Sequence, residues 1–262
     1  MKREHKDEMK QRGRNIALLV AYDGTNYHGF QRQNNAVAVQ NVLEEKLAML
    51  FGETIELAAA GRTDTGVHAF GQVVNFFTSG KIPTDRIAYA ANSLLPDDIT
   101  VKEAWEADAN FSARHSAKAK TYLYKIQRGK FRDPFLRNYA WHVKENLNLE
   151  LMRDGLKLLE GVHDFSSFRA AGGAPMSPVR EIYEANLTEA CDIVKISFYG
   201  NGFLYHMVRN MVGTLVTLGA GRMSLTRFNE IFEAKDRTKA SPTAPACGLY
   251  LVKVEYNGVK FS

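Results

Sequence analysis

The chain has 262 residues, of which 45% are hydrophobic and 24% are charged, and its formal net charge is +5. This length and ordinary composition predict a soluble globular protein with a substantial core in one or two domains. The two cysteines exclude a disulfide framework and lack metal-ligand spacing, so we expect a reducing, cytoplasmic compartment and no metal.

The N-terminus is charged and lacks an apolar core segment, so we expect no signal peptide. Residues 1–14 have no apolar period and are predicted to form a mobile basic tail. The most membrane-like stretch is 203–220, but it contains His206, Arg209 and Asn210. Such side chains are costly in lipid, so this stretch predicts a buried helix, and we expect no membrane contact.

The first half of the chain predicts the element order β-α-β-β-α-β. Strands are indicated by β-branched and aromatic runs, and helices by apolar residues at i, i+3 and i+4 spacing. The predicted elements are a strand at 16–22, a helix at 39–51 stopped by Gly52, strands at 55–60 and 71–77, a helix at 84–93 capped by Thr84, and a strand at 99–106.

The second half predicts the same order with one helix added. Its predicted elements are a strand at 121–127, a helix at 148–159, strands at 178–188 and 193–199, helices at 203–218 and 224–234, and a strand at 248–256. This order is that of the ferredoxin-like split unit. We therefore predict an α+β fold in which two ferredoxin-like halves, 15–110 and 111–262, share a mixed, mostly antiparallel sheet.

The loop between the strands predicted at 55–60 and 71–77 reads Gly-Arg-Thr-Asp-Thr-Gly-Val-His, with Asp64 at its centre. A loop pinned between rigid strands is well suited to hold a reactive side chain. The simplest alternative is a hairpin turn in which Thr63 and Asp64 bond their own backbone. A second alternative is an aspartic protease, but that chemistry needs two carboxylates sharing a proton, and Arg62 and His68 would crowd such a pair with positive charge.

Arg209 lies within an otherwise apolar predicted helix. It lies on the same face of that helix as His206, Asn210 and Gly213. It either extends to water along the edge of the helix or points into a site, where a buried arginine needs an acid such as Asp64.

Tyr122 and Tyr124 share one face of their predicted strand, because strand side chains alternate. They either pack in the core or form an aromatic platform for a flipped base.

A basic tract runs from residue 114 to residue 137 and contains one acid, Asp133. Its eight basic residues are Arg114, Lys118, Lys120, Lys125, Arg128, Lys130, Arg132 and Arg137. Aromatic residues are interleaved with them. The tract is either a solvated face or a surface for phosphates and bases.

The nine residues from Gly61 to Ala69 resemble the catalytic loop of the tRNA pseudouridine synthase A family. Residues 22–33, 120–124, 203–210 and 244–251 are similar to four further motifs of that family, in the family's order. Phe30 stands where the family usually has tryptophan. The resemblance implies a pseudouridine synthase fold and isomerisation of uridines 38, 39 and 40 in the anticodon stem-loop of tRNA, by a homodimer without a cofactor.

The resemblance also implies roles for individual residues. Asp64 would be the catalytic nucleophile or base, held ionised by Arg209. Tyr122 would stack on the base, and Arg62 would help to flip the nucleotide. The residues implied to bind the substrate are Tyr122, His68, Arg114, Lys118 and Lys120. The second half would complete the active site and the RNA groove. An RNA-binding protein with an inactive site is the alternative reading.

Overall fold

The computed structural model describes residues 13–173 and 176–258. Of the tail predicted at 1–14, only Gly13 and Arg14 fall within these ranges. The chain folds into two compact units, one formed by the residues up to Lys118 together with those from Leu251 onward, and one formed by Ala119–Tyr250. The chain thus passes between units at Lys118 rather than near residue 110, and it returns to the first unit inside its last strand.

The first unit has the predicted element order. Its elements are β1 (Arg14–Tyr22), α1 (Val39–Phe51), β2 (Ala58–Ala59), β3 (His68–Thr78), α2 (Thr84–Asn92) and β4 (Ile99–Ala107). β1 pairs antiparallel with both β3 and β4, and β2 pairs antiparallel with β3. The strand at Leu249–Tyr256, numbered β10 below, lies beside β3.

β1 begins at Arg14, two residues earlier than predicted. Arg14 pairs with Thr78 of β3, and its side chain donates hydrogen bonds to the carbonyl oxygens of Gly80 at 2.9 Å and Ile82 at 2.8 Å. It also donates to Thr84 Oγ1 at 2.8 Å. The prediction that the Thr84 side chain caps α2 is therefore wrong, and Pro83 occupies the capping position without a side-chain hydrogen bond.

The strand predicted at 55–60 is reduced to β2, Ala58–Ala59. Buried Leu57 is tied to α1 instead of to a strand: its N–H donates to the Glu44 carboxylate at 2.9 Å, and its carbonyl accepts from Gln40 at 3.3 Å. The end of α1 is as predicted, since Gly52 closes it in the left-handed conformation at φ 68°.

The second unit contains most of β5 (Ala117–Arg128) and the following elements: β6 (Trp141–Val143), α3 (Leu149–Lys157), β7 (Gly161–Asp164), β8 (Val179–Ala190), β9 (Ile193–Gly200), α4 (Met207–Gly219), α5 (Leu225–Glu233) and the start of β10 (Leu249–Tyr256). The strand order in this unit is β5-β9-β8-β7, and β5–β9, β9–β8 and β8–β7 pair antiparallel. β6 pairs with β5 in parallel. The sequence did not predict β6 or β7, which span only 3 and 4 residues.

α4 begins at Met207, four residues later than predicted, because His206 takes a left-handed conformation at φ 57° that a helix cannot continue through. Its remaining length is almost entirely buried, as predicted. Within the described ranges, no helix is long and apolar enough to cross a membrane. The chain combines helices with mostly antiparallel strands, which confirms the predicted α+β fold class.

Candidate active site

The Asp64 loop, defined as residues 61–67, connects β2 to β3 in the first unit. Asp64 is half-buried, Arg62 is exposed, and Thr63 and Val67 are buried. The loop therefore presents the carboxylate and the guanidinium of Arg62 outward while Thr63 and Val67 anchor it in the core.

The backbone on both sides of Asp64 is fixed by residues 23–33, which we call the 23–33 loop. The Phe30 N–H donates to the Thr63 carbonyl at 3.1 Å, and the Gly66 N–H donates to the Tyr27 carbonyl at 3.3 Å. Within the Asp64 loop, the Val67 N–H donates to the Asp64 carbonyl at 3.1 Å. These bonds fix the backbone of the loop on both sides of Asp64.

A pair of buried hydroxyl groups anchors the Asp64 loop to β1. The oxygen atoms of Tyr22 and Thr63 lie 2.7 Å apart, and both side chains are buried. Gln72 donates to the Gly61 carbonyl at 2.9 Å. Burial raises the pKa of the Tyr22 phenol well above its ordinary value, so this group stays neutral and able to donate.

Two glycines allow the 23–33 loop to approach the Asp64 loop. A Cβ atom at Gly24 would lie 2.0 Å from the Val67 carbonyl oxygen, and one at Gly29 would lie 2.6 Å from that of Thr63. Gly29 also has φ +82°, a conformation unfavourable for other residues. The contact between the two loops thus depends on residues without side chains.

His68 is the first residue of β3 and is only 2% exposed. Its Nδ1 atom accepts from the Gly24 N–H at 3.1 Å and lies 3.0 Å from Asp23 Oδ1. The first contact requires an unprotonated Nδ1 and the second a protonated one, so they belong to alternative states of the ring. In either state the ring joins β3 to the 23–33 loop. The ring has almost no exposed surface, and its predicted role in substrate binding stays a prediction.

Arg209 lies in α4 of the second unit and is half-buried. Its Nε atom donates to the Ala244 carbonyl at 2.8 Å, and the Ala244 N–H donates to the Arg209 carbonyl at 3.1 Å. The side chain is thus bound by the protein along one edge, which does not fit an arginine that simply extends into water.

The two tyrosines of β5 differ in their surroundings. Tyr124 is fully buried and donates to the Pro245 carbonyl at 2.6 Å, so it packs in the core. Tyr122 is 8% exposed, and its ring centroid lies 5.1 Å from that of Phe203 in an edge-on arrangement. The prediction of a base-stacking role therefore applies to Tyr122 and not to Tyr124.

The basic tract is not uniform. Arg114 and Lys118 are exposed, and Lys120 is half-buried. Two other members are engaged within the protein: Lys125 Nζ lies 4.1 Å from the ring centroid of Tyr250, and Arg128 pairs with Glu189 at 2.8 Å. Burial and the neighbouring Lys195 lower the pKa of Lys125. The prediction of phosphate contacts therefore rests on the tract's other members.

The structure gathers Arg62, Asp64 and His68 at one junction of loop and strand in the first unit. In the second unit it places Arg209 on α4 and Tyr122 on β5. Sequence reasoning missed the supporting roles of Tyr22 and of the Ala244 carbonyl. The Tyr-Asp-Gly triplet at 22–24 could have indicated the role of Tyr22. The role of the Ala244 carbonyl could not have been found, because a backbone carbonyl has no sequence pattern.

A half-buried carboxylate on a fixed loop can serve as a nucleophile or as a general base. The described residues hold no group of three or more His, Cys, Asp or Glu arranged to bind a metal ion.

Comparison with known proteins gives consistent matches. The family model described as tRNA pseudouridine synthase matches residues 18–116 and 156–257. The protein named tRNA pseudouridine synthase A of Thermoanaerobacter sp. (strain X514) is 48% identical over 243 residues, covering 93% of this chain and 100% of that protein. Proteins of the same name from Acetivibrio thermocellus and Caldicellulosiruptor saccharolyticus are 46% and 47% identical, with the same coverage.

Proposed function

We propose a specific reaction for this chain, which belongs to the tRNA pseudouridine synthase family and is therefore an isomerase that acts on tRNA. The proposed substrates are uridines 38, 39 and 40 of the anticodon stem-loop. The family's reaction breaks the N1–C1′ bond of uridine and rejoins the rotated uracil through C5, so reactant and product have the same atoms and no redox step is needed. The five family-like motifs along the chain support this assignment.

The observation that carries the proposal is the position of Asp64 on a loop whose backbone is held by the 23–33 loop and by Tyr22. A carboxylate that attacks or removes a proton must meet its target in a defined geometry. The neighbouring glycines and the buried hydroxyl pair restrict the loop in the way that this role requires. Asp64 is the proposed catalytic residue.

The other residues have supporting roles in the proposal. Arg209 is the proposed cationic partner that orients the Asp64 carboxylate. Tyr122 stacks on the target uracil, and Arg62 assists in flipping the nucleotide out of the helical stack. The proposed phosphate contacts are those of Arg114, Lys118 and Lys120.

The proposed assembly is a homodimer that works in the cytoplasm, with one tRNA lying across both subunits. Exposed Arg114 and Lys118 support an RNA surface. Analytical ultracentrifugation with and without tRNA measures the assembly directly, and a monomer with one tRNA bound would contradict it.

The test of the reaction uses purified protein and unmodified tRNA transcripts without added cofactor. Pseudouridine is mapped by chemical labelling and primer extension, and we expect it at positions 38, 39 and 40 only. A tRNA with cytidines at those three positions is the matched control. Pseudouridine at other positions would contradict the assignment of substrate, and tight binding without any product would favour an RNA-binding protein with an inactive site.

A further inference from the structure

The segment 240–245 lies between a short 3-10 turn at Arg237–Lys239 and the turn that leads into β10, and side chains hold it at both ends. Arg237 Nη1 donates to the Ala240 carbonyl at 3.2 Å. Tyr124 donates to the Pro245 carbonyl at 2.6 Å. A surface segment whose carbonyls are occupied in this way has a defined conformation.

A three-residue network holds the middle of the segment against α4. Arg237 Nη2 donates to Thr243 Oγ1 and to Asn210 Oδ1, both at 3.0 Å, and Thr243 Oγ1 donates to the same Asn210 oxygen at 2.7 Å. Asn210 is fully buried, and its amide group donates to the Phe168 carbonyl at 2.7 Å. The three side chains are linked to one another by hydrogen bonds, so the network favours a single arrangement.

The segment also touches the backbone of α4 directly. A Cβ atom at Gly213 would lie 2.1 Å from the Pro242 carbonyl oxygen and 3.3 Å from the Ala244 nitrogen. One turn earlier on the helix, Arg209 exchanges two hydrogen bonds with Ala244. The position of the Ala244 carbonyl therefore follows from the path of the whole segment.

The geometry points to Arg237 as a positioning residue for Arg209, an inference that rests on the proposed role of Arg209 in the reaction. Because a guanidinium group is planar, the 2.8 Å bond from Arg209 Nε to the Ala244 carbonyl sets the plane in which its two terminal nitrogens lie. Arg237 determines where that carbonyl stands, through Ala240, Thr243 and Asn210. It acts on the reaction through Arg209 and without contacting the substrate.

The first test is independent of activity. In protein labelled with ¹⁵N-arginine, the Nε–H signal of Arg209 is identified by its disappearance in Arg209→Lys. We expect this signal to shift and to exchange faster with water in Arg237→Gln, because the Ala244 carbonyl loses its fixed position. The Nε–H signal of Arg14, which donates to Glu106 at 3.0 Å in the first unit, is the internal control for folding. An unchanged Arg209 signal would overturn the inference.

The second test separates positioning from general stability. We expect Arg237→Gln to lower kcat by as much as about 100-fold with little change in KM for tRNA, since small displacements of a reacting group have effects of that size. In an Arg209→Lys background the same substitution should cause almost no further loss. Independent, multiplicative losses would show that Arg237 has only a structural role.

A matched pair at Thr243 covers the case in which Arg237→Gln does not fold. Thr243→Ser keeps the hydroxyl that links Arg237 to Asn210 and should retain activity, whereas Thr243→Val removes it and should shift the Arg209 signal and lower kcat. Equal activity and an unshifted signal in both variants would contradict the inference. If the unaltered protein forms no pseudouridine in tRNA, the proposed function fails, while the arginine signal still decides the positioning.

Discussion

The backbone on both sides of Asp64 is hydrogen-bonded within the protein, whereas the Asp64 side chain is half-buried. This division suits a reacting group, because the loop sets its position and the side chain stays accessible to a substrate.

The first prediction is that Asp64→Asn abolishes pseudouridine formation and leaves tRNA binding nearly intact. The amide keeps the shape of the carboxylate but is neither a nucleophile nor a base of comparable strength. Product is measured by mapping on transcripts and affinity by filter binding. Asp85→Asn, at an exposed position on α2, is the matched control and should remain active. Turnover by Asp64→Asn would contradict the assigned role.

The second prediction concerns the buried pair formed by Tyr22 and Thr63. Tyr22→Phe and Thr63→Val each remove the 2.7 Å contact between the two buried hydroxyl groups, at a cost of about 1–2 kcal/mol in the free energy of unfolding. Both should lower kcat, because Thr63 directly precedes Asp64 in the loop.

The double variant of this pair should be little worse than either single one, since each single substitution already removes the contact between the two hydroxyl groups. Urea unfolding and single-turnover kinetics measure the two effects. Fully additive losses would mean that the 2.7 Å contact carries no coupling.

At the scale of elements, the site is built where loops lie against each other, and glycine permits that approach. The 23–33 loop contacts the Asp64 loop at Gly24 and Gly29, and the 240–245 segment contacts α4 at Gly213. In each case a carbonyl oxygen stands within 2.6 Å of the position that a Cβ atom would occupy. These positions tolerate no side chain without displacement of backbone that supports a proposed functional residue.

The third prediction compares two glycines with positive φ. Gly52 has φ +68° with nothing within 4 Å of a Cβ, whereas Gly29 has φ +82° with the Thr63 carbonyl at 2.6 Å. Gly52→Ala should cost about 1–2 kcal/mol of stability from backbone strain alone and leave activity unchanged. Gly29→Ala should cost more and also lower kcat, because it displaces the backbone next to Asp64. Equal activity of the two variants would refute the importance of this contact.

At the scale of the whole molecule, charge governs encounter with RNA. The net charge of +5 is modest, so the distribution of exposed basic residues decides where phosphates bind. Two members of the basic tract, Lys125 and Arg128, are engaged with Tyr250 and Glu189. Lys118 and Lys120 lie close together on β5 and are the pair chosen to test this surface.

The fourth prediction is that Lys118→Gln with Lys120→Gln weakens binding to all tRNAs about equally. The slope of log affinity against log salt should flatten by roughly one unit for each lost phosphate contact. Lys144→Gln with Lys157→Gln removes the same charge from two exposed positions elsewhere and is the control. If both pairs change the slope equally, the tract is only a solvated face.

The sequence by itself determined the features that depend on local patterns. These are the α+β class, the bounds of α1, the location of β5 in a sheet, and the motif from Gly61 to Ala69, which is a contiguous run of nine residues. Local patterns suffice here because helix periodicity, strand alternation and glycine stops act within a few residues of one another.

Only the tertiary structure decided the features that depend on distant partners. Leu57 bonds to Glu44 of α1 instead of extending the predicted strand, and the short strands β6 and β7 exist through their pairing with β5 and β8. The same holds for the Ala244 carbonyl that binds Arg209. Every residue has a backbone carbonyl, so the role of a particular carbonyl depends on which side chain the fold places next to it. That placement cannot be read from the residue identities alone.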